Sequence, residues 1–150
     1  MIVKTNSYHE TIDLGIRIGK AIGDRHIVIL LDGDLAAGKT TLTKGIAEGL
    51  GIKSTITSPT FTILKEYENN SKKLYHLDLY RLTEVGMDFD LEEYVDDLDS
   101  VVVIEWPFQV IELLPKEFIK ISITGNNDYR EFEITYQGNY KEVIDKIWKN

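Results

Sequence analysis

The segment that most restricts the fold is residues 33–40, with the sequence GDLAAGKT. It fits the pattern G-x-x-x-x-G-K-[ST] at every fixed position. An apolar run, 27–31, precedes the segment, and Leu42, Ile46 and Leu50 recur after it at the four-residue spacing of a helix. A run that is apolar throughout is typical of a parallel strand covered on both faces. We therefore expect a strand, a glycine-rich loop and a helix in succession, within an α/β protein.

The loop has the composition of one that surrounds phosphate. Two glycines let its backbone close around an anion, and backbone N–H groups at the start of the following helix add partial positive charge. Lys39 is expected to reach the β- and γ-phosphates of a nucleotide, and the Thr40 hydroxyl is the expected protein ligand of Mg²⁺. The candidate nucleotide-binding residues in this part of the chain are Asp34, Leu35, Ala36, Ala37, Gly38, Lys39, Thr40 and Thr41.

The remaining patterns predict one domain, residues 1–150, with a P-loop NTPase-like fold. Its mostly parallel central sheet would be flanked by helices and extended by antiparallel hairpins. Ser7 and Glu10 have capping-box spacing at the start of a helix over 8–22, and Gly23 ends it. The other expected elements are a hairpin of extended segments 60–68 and 74–79, a short helix 91–95, a strand 101–104, strands 118–124 and 130–136 around a turn, and a helix 140–148.

Composition excludes several classes of protein. The 150 residues include no cysteine, which excludes disulfide scaffolds, zinc ribbons and redox CxxC sites. A chain of this length buries a sufficient core without such cross-links. No apolar run approaches the ~20 residues of a membrane span. Because the N-terminus MIVKTNSYHE also lacks the apolar core of a signal peptide, we expect a cytoplasmic protein.

The formal net charge of −8 argues against a protein that binds nucleic acid alone, because phosphate binding relies on clustered Lys and Arg. It leaves open a protein partner that holds the RNA. The stretch Glu84–Asp99, which we call the acidic segment, has eight acidic residues and no Lys or Arg. Most such runs are solvated surfaces, and a docking surface is the alternative.

A P-loop also requires an acidic residue that holds Mg²⁺ or its water shell, usually at the end of a neighbouring buried strand. Glu105 follows the apolar run 101–104, which would bring its carboxylate to the C-terminal edge of the sheet. Asp78 lies in an alternating segment that would place His76, Asp78 and Tyr80 on one face. Either residue fits this role. The alternative for Asp78 is that it is an ordinary exposed acidic residue on a surface strand.

Two further features lie near the expected site. Ser58-Pro59-Thr60 places two hydroxyls around a rigid residue, where a loop that senses the γ-phosphate could lie. The same residue types are common in ordinary turns. Trp106 directly follows Glu105, and its ring could cover the site or serve only packing.

Four blocks of sequence occur in an order and at separations that resemble one family. They are residues 33–41, residues 58–62 (SPTFT), residues 76–82 (HLDLYRL) and residues 104–107 (IEWP). Together they resemble the TsaE family, also called YjeE, the bacterial P-loop ATPases of tRNA threonylcarbamoyladenosine synthesis. Two residues depart from the usual family pattern: Ala36 replaces a third glycine of the loop, and Phe108 replaces a polar residue. Neither departure removes a group expected to contact phosphate or metal.

The resemblance implies a Mg²⁺-dependent ATPase that is weak alone and is stimulated by partner proteins. Family members act with TsaD and TsaB, which transfer threonylcarbamoyl to the adenosine beside the tRNA anticodon. ATP hydrolysis would permit repeated turnover, and tRNA would be met only through the complex. The roles carried over are Mg²⁺ ligands at Thr40 and Glu105, a phosphate ligand at Lys39, catalysis or metal positioning at Asp78, a nucleotide-responsive loop at Thr60, and nucleotide contacts at Thr11 and Arg130.

Two other functions are open from the residues alone. A small-molecule kinase would use the same loop and acidic partner, but it should also carry an acceptor pocket and a lid with arginines. The chain has only four arginines, at positions 17, 25, 81 and 130. A nucleotide-sensing switch that binds ATP or ADP and scarcely hydrolyses it is the second alternative.

Overall fold

The computed structural model describes residues 1–33, 38–59, 63–69, 71–79, 91–106, 114–126 and 128–149. Residues 34–37 of the glycine-rich loop, Thr60, Tyr80, Phe108 and the first part of the acidic segment lie outside this range. Among the described helices, none is both long and apolar enough to cross a membrane.

In chain order, the elements are β1 (Ile2–Thr5), α1 (Tyr8–Ile22), β2 (Ile27–Asp32), α2 (Lys39–Gly49), β3 (Leu64–Glu68), β4 (Lys73–Asp78), α3 (Leu91–Val95), β5 (Ser100–Glu105), β6 (Phe118–Asn126), β7 (Tyr129–Gln137) and α4 (Lys141–Lys149).

The described strands form one sheet in the order β1-β7-β6-β2-β5-β4-β3. The central pairs of strands are parallel: β2 with β5, β2 with β6, and β5 with β4. The outer pairs, β3 with β4, β7 with β6 and β1 with β7, are antiparallel. The expected α/β fold, with a mostly parallel sheet and antiparallel hairpins, is confirmed.

The central strands are apolar because both faces of the sheet are covered. Ile27, Ile29 and Leu31 of β2 belong to a buried cluster that includes residues of α1, α2 and α4. Val28 and Leu30 point to the opposite face and belong to a second cluster, which includes residues of α3. Helices on both sides of a parallel sheet explain why the run 27–31 shows no polar alternation.

Strand β4 is buried on both faces as well. His76 is fully buried and Asp78 is 1% exposed, although both are polar. The register pairs His76 with Val103 and Asp78 with Glu105, so these four residues share one face of the sheet. The interpretation of Asp78 as an exposed strand acid is therefore wrong.

The sequence does not predict β1 because the strand has only four residues and most of them are not buried. Only Thr5 among its four residues is buried. The strand is held instead by antiparallel pairing with β7, and the N-terminal ammonium group donates a hydrogen bond to the Ile134 carbonyl at 3.1 Å. Such long-range pairing has no local sequence signal.

The hairpin of β6 and β7 is longer than expected. Strand β6 continues to Asn126, past the predicted end at 124 and into the predicted turn 125–128. Gly125 permits this extension because it has a φ of +149°, and a Cβ there would lie 2.1 Å from the Tyr129 carbonyl oxygen. The chain reversal is correspondingly tighter.

Helices α1 and α2 pack with their backbones in close contact through two pairs of glycines. A Cβ on Gly15 would lie 2.7 Å from the Gly45 Cα atom, and one on Gly19 would lie 2.9 Å from the Gly49 Cα atom. Within each helix the glycines are four residues apart and therefore lie on one face. A Cβ on Gly15 would also lie 2.5 Å from the Leu42 carbonyl oxygen, so the contact extends into the first turn of α2, which begins at Lys39.

We predict that Gly45→Ala destabilises the protein. Its Cβ would lie 2.3 Å from the Ile12 carbonyl oxygen, so the two helices must separate. Overpacking of this kind costs about 1–3 kcal/mol. In a helix without the contact, the same substitution would stabilise by about 1 kcal/mol, because alanine is the better helix former. Urea unfolding measures the sign of the change, and an increased free energy of unfolding would contradict the close contact.

Candidate functional site

The C-terminal ends of three parallel strands meet beside the start of α2. Leu31, near the end of β2, pairs with Glu105 at the end of β5, and Glu105 pairs in turn with Asp78 at the end of β4. Ligands of open α/β sheets bind at this edge. The structure therefore brings both candidate carboxylates to the place where the glycine-rich loop leaves the sheet.

Lys39 is the first residue of α2, and its side chain turns back towards the sheet. Its ammonium group donates a hydrogen bond to the Gly33 carbonyl at 2.8 Å, which bridges the two ends of the loop. The same nitrogen lies 3.8 Å from Glu105 Oε1 and 3.9 Å from the centre of the Trp106 ring. The side chains of Lys39 and Glu105 are each only 3% exposed, so these two opposite charges face each other with little water.

The second oxygen of Glu105 contacts a residue that sequence reasoning left without a role. Glu105 Oε2 and His76 Nε2 are hydrogen-bonded. Because an ionised carboxylate only accepts hydrogen bonds, the imidazole Nε2–H is the donor. Each oxygen of Glu105 thus has its own polar neighbour, Lys39 for Oε1 and His76 for Oε2.

Asp78 is the second buried carboxylate at the site and lies directly beside Glu105 in the sheet. Its backbone N–H donates to the Ile63 carbonyl at 2.7 Å, while the Leu79 N–H donates to the Glu105 carbonyl at 3.1 Å. The bond to Ile63 ties the end of β4 to the residue before β3, and the bond to Glu105 holds the ends of β4 and β5 together. The adjacency explains why the sequence alone could not choose between the two acids.

Two residues at this edge adopt positive φ angles that side chains other than glycine rarely take. They are Trp106, with φ +58°, and Ile63, with φ +66°. Trp106 follows Glu105 directly, and its N–H donates to the Leu31 carbonyl at 3.3 Å. The turn at Trp106 directs its ring over the Lys39 ammonium group, so the ring does lie over part of the site.

The start of α2 is formed at Gly38, and the backbone N–H groups of a helix's first turn favour an anion. Gly38 caps the helix with φ +100° and ψ 17°, and among the described residues no side chain caps the first turn. Thr40 and Thr41, in that first turn, are partly exposed. Thr43 differs from them because its buried hydroxyl donates to the Lys39 carbonyl at 2.8 Å.

A second part of the candidate site is a cavity of about 120 Å³ that Gly38 and Thr41 of this turn help to line. It brings together four residues that the sequence analysis assigned to the nucleotide, although they are far apart in the chain. A larger cavity of about 700 Å³, on the outer side of α1 and α2, contains none of the candidate residues. The smaller cavity is lined by Ser7, Tyr8, Thr11, Gly38, Thr41, Asp128 and Arg130.

Thr5 connects the two sides of this cavity, and the sequence analysis missed it. The Thr5 and Thr11 hydroxyl oxygens lie 2.8 Å apart in a buried hydrogen bond. The strand register pairs Thr5 with Arg130 across β1 and β7. A Cβ added to Gly38 would lie 3.4 Å from Arg130 Nε, so the arginine extends to the beginning of α2.

Two predicted parts of the site lie outside the described residues. They are Asp34, Leu35, Ala36 and Ala37 in the loop, and Thr60 in the Ser58-Pro59-Thr60 segment. Pro59 itself is described and buried, and its carbonyl accepts a hydrogen bond from the Ile63 N–H at 2.7 Å. This bond and the one from Asp78 N–H to Ile63 link the segment to the end of β4.

This combination defines the class of P-loop α/β proteins: a glycine-rich GKT motif between a central parallel strand and a helix, beside a buried acidic residue on the neighbouring strand. The family model described as "Threonylcarbamoyl adenosine biosynthesis protein TsaE" matches residues 5–132. The chain belongs to the TsaE family.

Individual proteins agree with this assignment. The tRNA threonylcarbamoyladenosine biosynthesis protein TsaE of Bacillus subtilis is 46% identical over 118 residues, covering 78% of this chain and 74% of that protein. The protein of the same name from Haemophilus influenzae is 36% identical over 129 residues, covering 85% and 81%. The crystal structure of Bacillus subtilis YdiB is similar with a TM-score of 0.82 and 35% identity, covering 99% of this chain and 94% of that one.

We predict that Glu105→Gln weakens the Mg²⁺ dependence of nucleotide binding more than Asp78→Asn does. Both changes keep the size of the side chain and remove its charge, so each is the matched control of the other. Glu105 is the acid that faces Lys39, and the loss should be at least the roughly tenfold seen when a partner of a metal ligand is removed. Titration of ADP binding against Mg²⁺ measures it. A normal response in Glu105→Gln together with a lost one in Asp78→Asn would assign the metal to Asp78.

Proposed function

We propose that this protein binds ATP with Mg²⁺ and hydrolyses it within the tRNA threonylcarbamoyladenosine machinery, acting together with TsaD and TsaB. The observation that carries the proposal is the approach of Lys39, from the GKT motif, to the buried Glu105 at the C-terminal edge of the sheet. In P-loop proteins the lysine of this motif holds the β- and γ-phosphates and an acidic residue on a neighbouring strand holds Mg²⁺, so the two residues lie at the same phosphates. The family assignment supports the tRNA modification pathway.

The donor groups fit Mg²⁺. The Thr40 hydroxyl and the Glu105 carboxylate are hard oxygen ligands, the kind that Mg²⁺ prefers. In the described part of the chain no cluster of three or more His, Cys, Asp or Glu could hold a metal. Mg²⁺ does not require such a cluster, because it is usually held by one or two protein ligands, by water and by substrate phosphates. Bound there, the ion would neutralise phosphate charge and orient the terminal phosphate for attack by water.

The protein residues would divide the remaining work between the two parts of the site. Lys39 and the N–H groups at the start of α2 would hold the phosphates, and Asp78 would position the metal's water shell or the attacking water. Thr11, Thr41 and Arg130 line the smaller cavity and would contact the rest of the nucleotide. Thr60 would lie in a loop that responds to the γ-phosphate.

Partner proteins are part of the proposal because a P-loop ATPase often depends on another protein to order its water and arginine. Arg130 is the arginine that the described structure places next to the start of α2. It lines the smaller cavity, whereas neither Lys39 nor Glu105 lines that cavity. We therefore propose weak hydrolysis by the isolated chain and stimulation when TsaB and TsaD dock. A cytoplasmic location follows from the same proposal, since the substrate tRNA is there.

We predict that Lys39→Ala and Thr40→Ala each lower Mg²⁺-dependent ATP turnover by about 10²-fold or more without unfolding the protein. Lys39 supplies phosphate charge and Thr40 supplies a metal ligand. Lys44→Ala, which removes a charge from the outer side of the same helix, is the matched control and should keep normal turnover. Steady-state phosphate release and circular dichroism measure the two properties. Normal turnover in either site variant would contradict the assignment.

Our next prediction is that purified TsaB and TsaD raise ATP turnover, with a half-maximal concentration that increases with salt. Acidic residues attract a basic partner mainly by raising the association rate, and salt screens that attraction. The double variant Glu92→Gln with Glu93→Gln, on exposed positions of α3, should weaken the stimulation. Glu142→Gln, exposed on α4, is the matched control.

Four outcomes of these experiments test the proposal and its alternatives. A rate unchanged by both partners contradicts the activation proposal. Nucleotide binding without hydrolysis under any condition favours a switch, and transfer of phosphate to a small molecule instead of water favours a kinase. Stimulation that is equal at low and high salt would remove the acidic segment from the docking surface.

A further inference from the structure

His76 is a buried polar residue for which the proposed hydrolysis has so far required no role. It lies in the middle of the sheet on β4, with a side chain that is fully buried. A buried imidazole is costly unless its nitrogen atoms find partners, and a valine or leucine would fill the same place without that cost. The presence of a histidine at this buried position must therefore be explained by the hydrogen bonds that it makes.

Within the described residues, His76 makes one hydrogen bond through its side chain, and that bond is to Glu105. Nε2 contacts Glu105 Oε2, whereas Nδ1 has no hydrogen-bond partner in the described part of the structure. A proton on Nε2 suits this arrangement, because that nitrogen then donates to the acceptor beside it. The side chain thus has a single polar contact, directed at the expected metal ligand.

The geometry of the sheet makes this contact directional. His76 pairs with Val103, two residues before Glu105 on the neighbouring strand, so the imidazole reaches forward along the sheet face to the carboxylate. It occupies Oε2 on the side of β4, while Oε1 lies 3.8 Å from Lys39 Nζ on the side of the loop. A glutamate with one oxygen held in this way cannot rotate freely about its last bond.

We infer that His76 is a positioning residue, which holds the Glu105 carboxylate so that Oε1 faces the start of α2, where Mg²⁺ and the phosphates would bind. This inference rests on the proposed function, because it assumes that Glu105 is a Mg²⁺ ligand. It adds a role for a residue outside the GKT motif and outside the two carboxylates. Hydrogen-bond partners of metal ligands typically contribute 10-fold to 100-fold to metal affinity.

Four variants of His76 and Glu105 separate the hydrogen bond from the shape of the side chain. His76→Gln places an amide N–H near the position of Nε2 and should retain the contact. His76→Asn carries the same amide on a shorter side chain that does not reach Glu105. His76→Leu fills the space and removes the donor. The double variant His76→Asn with Glu105→Gln, compared with both single variants, tests whether His76 acts through Glu105.

The measurement is ADP binding by calorimetry to the full-length chain, at a series of Mg²⁺ concentrations and in EDTA. We expect the half-maximal Mg²⁺ concentration to rise about 10-fold or more in His76→Asn and in His76→Leu, and to change less than about threefold in His76→Gln. ADP affinity in EDTA should stay within about twofold in all three variants. In the Glu105→Gln background, His76→Asn should add little to the effect.

The inference is overturned if folded His76→Asn keeps the wild-type Mg²⁺ dependence, or if His76→Gln loses as much as His76→Asn. The pair of amide variants keeps the test valid should His76→Leu fail to fold. Equal losses with and without Mg²⁺ would also overturn it, because they indicate a general disturbance of the fold. Failure of the proposed function has a different result, since wild-type protein would then show no Mg²⁺-dependent ADP binding at all.

Discussion

The opposed charges of Lys39 and Glu105 are the interaction on which the site depends. Each side chain is 3% exposed, and a charge removed from water to that extent is unfavourable unless an opposite charge or a strong hydrogen bond compensates it. Among the described residues, the compensation includes the Gly33 carbonyl and the Trp106 ring for the ammonium group, His76 for one carboxylate oxygen, and the attraction between the two charges. The parallel pairing of β2 with β5 is required for this arrangement, because it brings the end of the apolar run 101–104 beside the strand that leads into the loop.

The position of Lys39 depends in turn on how α2 packs against α1. The glycine pairs allow the two helix backbones to touch, and the same contact brings the first turn of α1 near the first turn of α2. Thr11 therefore lies beside Gly38 and Thr41 in one cavity, although 27 residues separate Thr11 from Gly38 in the chain. Larger residues at the glycine positions would separate the helices, and both the cavity and the reach of Lys39 towards Glu105 would change together.

The sequence predicted the parts of this arrangement that have a local pattern. Strand β2, the loop and α2 follow from an apolar run, a motif and a four-residue spacing, and Glu105 follows from its place after a second apolar run. The parts that were missed depend on contacts between distant residues. Strand β1 exists because β7 pairs with it, and the role of Thr5 depends on that pairing. His76 could be placed on the face of Asp78 by alternation, but its contact with Glu105 requires the register of β4 and β5, which no local pattern gives.

The two parts of the candidate site meet at Gly38, and this residue explains why they form one site. Its φ of +100° turns the chain from the loop into α2, and a side chain there would be strained by that backbone conformation. Lys39 and Glu105, at the sheet edge, make up one side of the candidate site, and Arg130 and Thr11, in the cavity that Gly38 also lines, make up the other. A ligand that contacts both sides must pass the backbone N–H groups of the turn, which carry partial positive charge. Under the proposed function, an extended molecule with phosphates at one end would make all of these contacts at once, which neither a free phosphate nor a free base could do.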